Sequence, residues 1–554
     1  MDHFALKIWY LIENSRYHEA AELFDTLQQI ATPSADFLLA GVHANLACGQ
    51  HSQATLLADQ ISKNTPENIE LLTKLATLLN QAGEAKKAYA LLQHCITKHP
   101  HQPFTYRNLV AFLIEHRKYR QAISIIRNQP MHIQQDTGLQ YLYGEALSCI
   151  DHFLEAQQVF EKLLQQGFET AQLRINLGRA CEALNQLEMA KTHLTVAIVL
   201  APQNPIAYMN LGVVCKELQQ LTEAYQHLSE ALRINPNYHT ARWNLAHLYL
   251  LNRSYPEGFK LFESRFAKTD PVIASSPSPA PLWDGSNPAA KHILVVTEQA
   301  YGDTIQFIRY LPLLSALGAT ILLFTQQSAL IPLLQQLPAI HHITTDPNLP
   351  PACDWQIPLL SLPHLLGTAW ETVPAQTPYL SAPPDKIAYW QNKLAHERRY
   401  KIGIAWQGRP KPDPRRSIAT DYLQPLLQTS DCAFISLQTE NPANFTSPNL
   451  QDYTHELSDF SDTAALMHCM DLVVSIDSAV AHLAGALGRP LWVLLPYAPD
   501  WRWHLGCNDS PWYPTARLFR QPRPDAWETV LYEVSDALHK LLSNHPKSDH
   551  EIAA

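Results

Sequence analysis

None of the nine cysteines stands in a C-x-x-C pair, and no apolar run reaches the roughly 20 residues that a bilayer-spanning helix needs. The first absence argues against structural zinc and for free thiols in a reducing compartment; the second leaves no candidate transmembrane segment. The opening residues, MDHFALKIWYLIENSRYHEA, carry acidic and polar side chains too early for a signal peptide. A cytoplasmic location is therefore expected, with peripheral membrane contact left open. Positive charge is also scarce, since 41 Lys and Arg face 51 Asp and Glu for a formal net charge of −10. That balance argues against a nucleic-acid partner, and an anionic substrate has to be met by a local basic cluster. What is present is ordinary for a folded soluble protein, 46% apolar and 17% charged over 554 residues, enough for about three domains.

One run compresses a whole βαβ unit, with its chemistry expected at the turn. In Asp471 to Pro496, DLVVSIDSAVAHLAGALGRPLWVLLP, the residues Leu472, Val473 and Val474 read as a buried parallel strand, and Ala479 to Leu487 read as a small-residue helix leading to a second strand. The polar turn Ser475-Ile476-Asp477-Ser478 joins them. A turn at the carboxyl end of a strand, feeding a helix, presents free N–H groups and the positive end of the helix dipole, which suits a phosphate. His482 lies one helical turn beyond Ser478 on the same face and adds a possible donor. The alternative is an N-capping Asp or Ser beside a surface His.

Upstream, residues 1–272 align with themselves at a period of 34 through eight consecutive units. Position 20 is small throughout: Ala20, Ala54, Ala88, Ala122, Ala156, Ala190, Ala224 and Gly258. Position 24 is apolar, and position 8 is small or β-branched, as expected where two helices cross closely. This half resembles tetratricopeptide repeats, whose helix pairs stack into a superhelix with a concave face. Position 6 carries Asn108, Asn176, Asn210 and Asn244, interrupted by Leu142. Repeats spaced by about 10 Å match every third residue of an extended peptide at about 3.3 Å per residue, so one amide per repeat suits a bound backbone. The alternative is that Asn at this position belongs to the repeat whatever it binds.

Residues 267–290 are rich in Pro, Ser and Ala; the solenoid is placed at 1–272 and a linker at 273–290. Short apolar runs then alternate with helical stretches, starting at His292–Val296, Thr320–Phe324, His341–Thr344 and Trp355–Pro358, and again from Tyr400–Trp406 and Cys432–Leu437. Two Rossmann-like domains are expected, 291–385 and 386–525, with a cleft between them, a helix over 526–543 and a disordered tail over 544–554.

The motifs EQAYGDTIQFIRYLPLL from Glu298, KIGIAWQGRPKPDPRRS from Lys401, FISLQ from Phe434, SIDSAVAHLAGALG from Ser475 and DSPWYPTARLFRQ from Asp509 resemble bacterial tetratricopeptide-repeat glycosyltransferases. Their catalytic half is similar to the heptosyltransferase family, and the repeats-then-catalysis layout is also similar to O-GlcNAc transferase. The resemblance implies an α superhelix followed by an α/β GT-B fold. It implies metal-independent, inverting transfer of a sugar from a nucleotide-diphosphate donor, with no cofactor beyond that substrate. Such chemistry needs a base for the acceptor and positive or N–H-rich groups for the leaving diphosphate. Asp303 matches the family's base position; its alternative role is to cap the helix Thr304 to Leu317. Ala300 stands where the group has glycine.

On the donor side, Arg409, Lys411, Arg415 and Arg416 gather against one Asp413, a local excess suited to phosphate, with a solvated basic loop as the alternative. With Gln407, Gln438, Asp477, Ser478, Ala479 and His482 they form the candidate donor site, Gln438 reaching the base or ribose. The tryptophans at 501, 503 and 512 suit either a sugar pocket or the core. Three functions follow: a transferase acting on Ser/Thr hydroxyls of a protein or peptide held by the repeats, a transferase acting on lipopolysaccharide or another cell-surface glycan with the repeats as a docking module, or a non-catalytic repeat adaptor.

Overall fold

The computed structural model describes residues 2–28, 34–65, 67–267, 278–348, 350–409, 413–439 and 445–544. Lys411, the start of the expected linker at 273–277 and the tail from 545 lie outside the described residues.

Helix pairs recur through the amino-terminal half, as in Ala171–Ala183 with Leu187–Leu200 and Pro205–Glu217 with Leu221–Ile234. The chain turns between paired helices at position 15 of all eight units, where Ser15, Gly49, Gly83, Arg117, Asp151, Asn185, Gln219 and Arg253 all have positive φ, between 56° and 85°. The small position 8 has a steric cause. A Cβ added to Gly144, Gly178 or Gly212 would lie 2.5 to 2.7 Å from Phe160, Leu194 or Leu228, which are the position-24 side chains of the same units. The position-20 alanines from Ala20 to Ala224 are fully buried. This is a tetratricopeptide-type superhelix.

The chain divides into two compact units, Met1–Pro202 and Gln203–Ala554. The second contains the last two repeats together with the α/β part. Its strands are β1 (His292–Val296), β2 (Thr320–Phe324), β3 (Ile340–Thr344), β4 (Trp355–Pro358), β5 (Tyr400–Ala405), β6 (Cys432–Ser436), β7 (Leu450–Gln451), β8 (Leu472–Ile476), β9 (Leu491–Leu495) and β10 (Ala516–Arg520). They form two wholly parallel sheets, β3-β2-β1-β4 and β10-β9-β8-β5-β6-β7. Both begin in the middle, step outward, then cross to the other side. The second follows the full doubly wound order and the first its opening four strands, so each sheet has a switch point, β1/β4 and β5/β8, where ligands bind in this architecture. β6, β8 and β9 are buried along their whole length, which is why they read as mostly apolar runs, broken only by Ser436 and Ser475. The α superhelix followed by two Rossmann-like halves of GT-B type is the expected fold.

Three details differ from the sequence expectation. The helix expected over Thr304 to Leu317 is broken into Tyr301–Phe307, a 3₁₀ turn Ile308–Tyr310 and Leu311–Ala316, because Pro312 lacks an N–H and its ring excludes the carbonyl of Ile308 from an α-helical turn. The described end of the linker is ordered against β4: Trp283 N–H donates to Gln356 O at 2.9 Å, Gln356 N–H donates to Pro281 O at 3.0 Å, and the Trp283 side chain is buried. The last repeat is also fastened into the α/β part. Arg265, just past helix Tyr255–Phe262, makes paired 2.8 Å bonds to both carboxylate oxygens of Glu298 at the end of β1. Tyr255 Oη meets Trp512 Nε1 at 3.1 Å and His504 Nε2 at 2.8 Å. Helix Trp527–Asn544 closes the second sheet, burying Val530, Leu531, Val534 and Leu538.

Candidate active site

The loop leaving β1 delivers Asp303. Gln299 takes the left-handed conformation, φ 62°, and Ala300 is extended at φ −94°, ψ 169°, so the alanine fits where the related motif has glycine. Helix Tyr301–Phe307 starts there, and Asp303 in its first turn does two things. Its Oδ2 accepts the N–H of Ala300 at 3.0 Å, tying down the helix start, and its Oδ1 accepts Arg502 Nη2 at 2.6 Å. With both oxygens engaged, the side chain still keeps 16% of its surface exposed.

The helix also brings the first half against the second. A Cβ on Gly302 would fall 2.9 Å from His482 Cδ2 and 3.6 Å from Ala479 Cα, so the YGD turn and helix Ala479–Ala486 touch through the hydrogen of a glycine. Ser478 caps that helix by accepting the Val480 N–H at 3.2 Å. His482 is buried, its Nδ1 2.8 Å from Tyr513 Oη, its ring stacked on Trp503 at 5.5 Å, and its Nε2 3.9 Å from Asp477 Oδ1. Burial, then the Arg502 charge, pushes its pKa down to about 3. The alternative reading of a surface His is therefore corrected: His482 is a buried, neutral imidazole. Nδ1 and Tyr513 Oη share one proton between them, in either direction.

At the β5/β8 switch point, the loop after β5 returns through the 3₁₀ turn Pro414–Arg416, and Arg416 Nη1 donates to the carbonyl of Asp477 at 3.1 Å. Its Nε is buried and makes no hydrogen bond, as are Thr304 Oγ1 and Gln306 Nε2 on the Asp303 helix. Gln438 ends the strand run at β6 and uses its side-chain oxygen inward, accepting the N–H groups of Gln407 at 2.9 Å and Trp406 at 3.2 Å. It shapes the loop after β5 rather than extending that oxygen outward. Arg415 turns away from Asp477: it pairs with Asp413 at 2.8 Å and with Glu217 of the seventh repeat at 2.7 Å. Arg409 is exposed, and its carbonyl lies 3.4 Å from Arg416 Nη2.

Arg502 is the residue that sequence reading passed over. It follows β9 in the turn Trp501–Trp503, is 8% exposed, and reaches Asp303 at 2.6 Å, Gln306 Oε1 at 2.5 Å and Asp500 Oδ1 at 2.8 Å. The flanking tryptophans are core: Trp501, Trp503 and Trp512 are all buried. Around this guanidinium the three aspartates titrate differently. Burial raises Asp303, with Arg502 opposing. Burial, then the neighbouring Asp500, raises Asp477 to about 6. Burial acts upward on Asp500 too, but Arg502 outweighs it and holds that group below its ordinary value.

The asparagines divide. In the first unit, Asn176 is buried with both ends engaged, donating to Tyr141 Oη at 3.0 Å and accepting Gln172 Nε2 at 3.2 Å. Asn108 donates to Phe104 O at 2.7 Å yet lines a cavity of about 810 Å³ with Lys74, Glu70, Thr77 and His99. In the second unit, Asn244 donates back to Thr240 O at 3.0 Å, and the Asn210 amide nitrogen is buried with no partner. The position-6 asparagines thus differ in their partners from repeat to repeat, and Lys74 and Asn108 at this position line the cavity of the first unit.

Comparison with known proteins bears on this arrangement. Residues 205–238, the seventh repeat, match the tetratricopeptide repeat family, and residues 458–526 match glycosyltransferase family 9 (heptosyltransferase). The chain carries a tetratricopeptide repeat and a glycosyltransferase family 9 domain. The family 9 match spans Asp477, Ser478, Ala479, His482, Asp500 and Arg502, while Asp303 and the basic loop lie upstream of it. The chain is 28% identical over 317 residues to protein FlbA of Caulobacter vibrioides, covering 51% of this chain and 52% of that protein, so it spans about half the length of the curated relative it matches. Solved structures align with lower similarity. YrrB, described as a tetratricopeptide-repeat protein with an unusual peptide-binding site, is 19% identical over 32% of this chain and 91% of its own, TM-score 0.27. MamA of Desulfovibrio magneticus is 17% identical over 31% and 97%, TM-score 0.28. Among the described residues no helix is long and apolar enough to cross a membrane.

Proposed function

We propose that the chain is an inverting glycosyltransferase that moves a sugar from a nucleotide-diphosphate donor to an acceptor hydroxyl, with Asp303 as the base. The observation that carries this reading is the meeting of Asp303, Arg502, Asp477 and Arg416 where the exits of β1 and β8 touch, beside a family 9 domain. In this reading Asp303 takes the acceptor's proton as the oxygen attacks the anomeric carbon. Arg502 keeps that carboxylate ionised against its burial and fixes its direction. Arg416, with its partnerless Nε, and the N–H groups at the start of helix Ala479–Ala486 receive the leaving diphosphate, so no metal ion is needed to neutralise it. The His482 imidazole, neutral and held by Tyr513, contributes shape.

The test is calorimetric titration with uridine, guanosine, adenosine and cytidine diphosphates. One should bind the wild type, and Arg416→Ala should weaken it about 10- to 150-fold, the worth of a charged hydrogen bond of about 1.5–3 kcal/mol. Equal affinity in the variant removes the diphosphate from this loop. For the acceptor we propose a protein or peptide segment in the cytoplasm, supported by the polar cavity along the first unit, which is roomy enough for several side chains and presents both charges. The heptosyltransferase character of the matched family favours a second reading, transfer to a cell-surface glycan with the repeats as a docking module. Mass spectrometry of candidate proteins and of extracted glycans after co-expression separates the two.

A further inference from the structure

The seventh repeat holds a cluster that the transfer chemistry does not use. Helix Pro205–Glu217 carries Cys215, and its partner Leu221–Ile234 carries Glu223 and His227, four residues apart and therefore on one face. A sulfur, a carboxylate oxygen and an imidazole nitrogen of these three side chains all lie within 4.8 Å of one another. Cys215 Sγ is 3.9 Å from Glu223 Oε2 and donates its proton toward it. Around a tetrahedral ion with bonds of about 2.0–2.3 Å, ligand atoms stand roughly 3.3–3.8 Å apart, so side-chain rotations that bring the atoms together by about 1–1.5 Å at most close the triangle. The sulfur is buried, whereas Glu223 and His227 are partly exposed and leave an approach.

We propose that Cys215, Glu223 and His227 bind one divalent transition-metal ion, zinc fitting best, with a fourth position left to water. Thiolate, carboxylate and imidazole together select a borderline-soft ion over magnesium or calcium, and the two anionic ligands neutralise its charge. The balance is simple: the ion replaces the thiol proton that now points at Glu223, and that proton leaves to solvent. The absence of a C-x-x-C pair hid the site, because its ligands come from one helix turn and the facing helix rather than from one short loop. The sixth repeat is a built-in contrast. At the same repeat positions it has Cys181 and His193, but Met189 stands where Glu223 supplies the carboxylate.

The experiment is titration of the chelator-stripped full chain with Co²⁺, followed by Zn²⁺ competition. One equivalent of Co²⁺ should raise a near-ultraviolet thiolate-to-cobalt band that Zn²⁺ bleaches. Cys215→Ser should abolish the band, Cys181→Ser should leave it, and Glu223→Gln and His227→Gln should each weaken Co²⁺ binding at least tenfold. A wild type with no thiolate band, or a band that survives Cys215→Ser, overturns the site. Should Cys215→Ser fail to fold, the two variants at partly exposed positions decide: unchanged affinity in both overturns it equally.

Discussion

Removing the Arg502 guanidinium leaves Asp303 and Asp500 without the cation they share, and it withdraws the one charge that opposes the upward push of burial on Asp303. Arg502→Gln should therefore raise the Asp303 pKa further, and the acid limb of the kcat/KM–pH profile should move to higher pH. An unmoved limb means that Asp303 is not the titrating base. Asp477 gives a prediction of opposite kind. Its carboxyl is raised from 3.8 to about 6, so between those values the folded protein holds a proton that the unfolded chain has lost. Stability attributable to this group is therefore greatest below pH 4 and falls as pH rises through 6. Asp477→Asn should be more resistant to urea than the wild type at pH 7.5, with the difference shrinking at pH 4.5; parallel curves at both would contradict the burial argument. Asp303, Asp477 and Arg416 could be singled out in the sequence because each follows a strand in a polar or charged turn. Arg502 was not, since its partners Asp303 and Gln306 lie about 200 residues upstream and nothing local marks it. The asparagines were harder to read for the opposite reason: a repeating residue type does not reveal that Asn108 and Asn244 each donate to the carbonyl four residues back while Asn176 is buried against Tyr141.

Between elements, a close approach at the site is Gly302 against the helix that carries His482. Gly302→Ala places a methyl 2.9 Å from an imidazole carbon already wedged between Trp503 and Tyr513, which cannot retreat. Overpacking of this kind costs about 1–3 kcal/mol, and here it also displaces Asp303 from Arg502. The expected result is a lowered melting temperature together with a loss of turnover of tenfold or more, while nucleotide binding at Arg416 changes little. Full turnover in this variant would show that the two helices need not touch. The strands were readable for a plain reason. Parallel strands covered on both faces are continuous apolar runs, so β1, β2 and β4 have the very ends that the sequence suggested. The helix after Asp303 was not, because its apolar spacing continues across Pro312 although its hydrogen bonding does not.

For the whole molecule, the contacts of the last repeats decide where the catalytic part begins. Glu298 is fully buried and its carboxylate is met by Arg265; Tyr255 and Phe259 lie inside the same core as Trp501 and Trp512. A chain beginning at Ser286 loses Arg265 and Tyr255 and strands a buried charge, at a cost of about 3–5 kcal/mol for the ion pair alone. It should be insoluble or melt far below a chain beginning at Gln203, which keeps these contacts; equal stability of the two by calorimetry would show that the repeats are merely appended. The repeat periodicity could not reveal this, since the seventh and eighth units keep the spacing of the other six while packing on something else. The central claim, that this molecule transfers sugar with Asp303 as its base, is tested most directly by the rate at which the full chain releases nucleoside diphosphate from nucleotide sugars in the presence of acceptor extract, compared with Asp303→Asn. The asparagine keeps the side-chain shape but cannot take a proton, so release should fall by about 10²- to 10⁴-fold. A variant that releases nucleoside diphosphate as fast as the wild type contradicts the account.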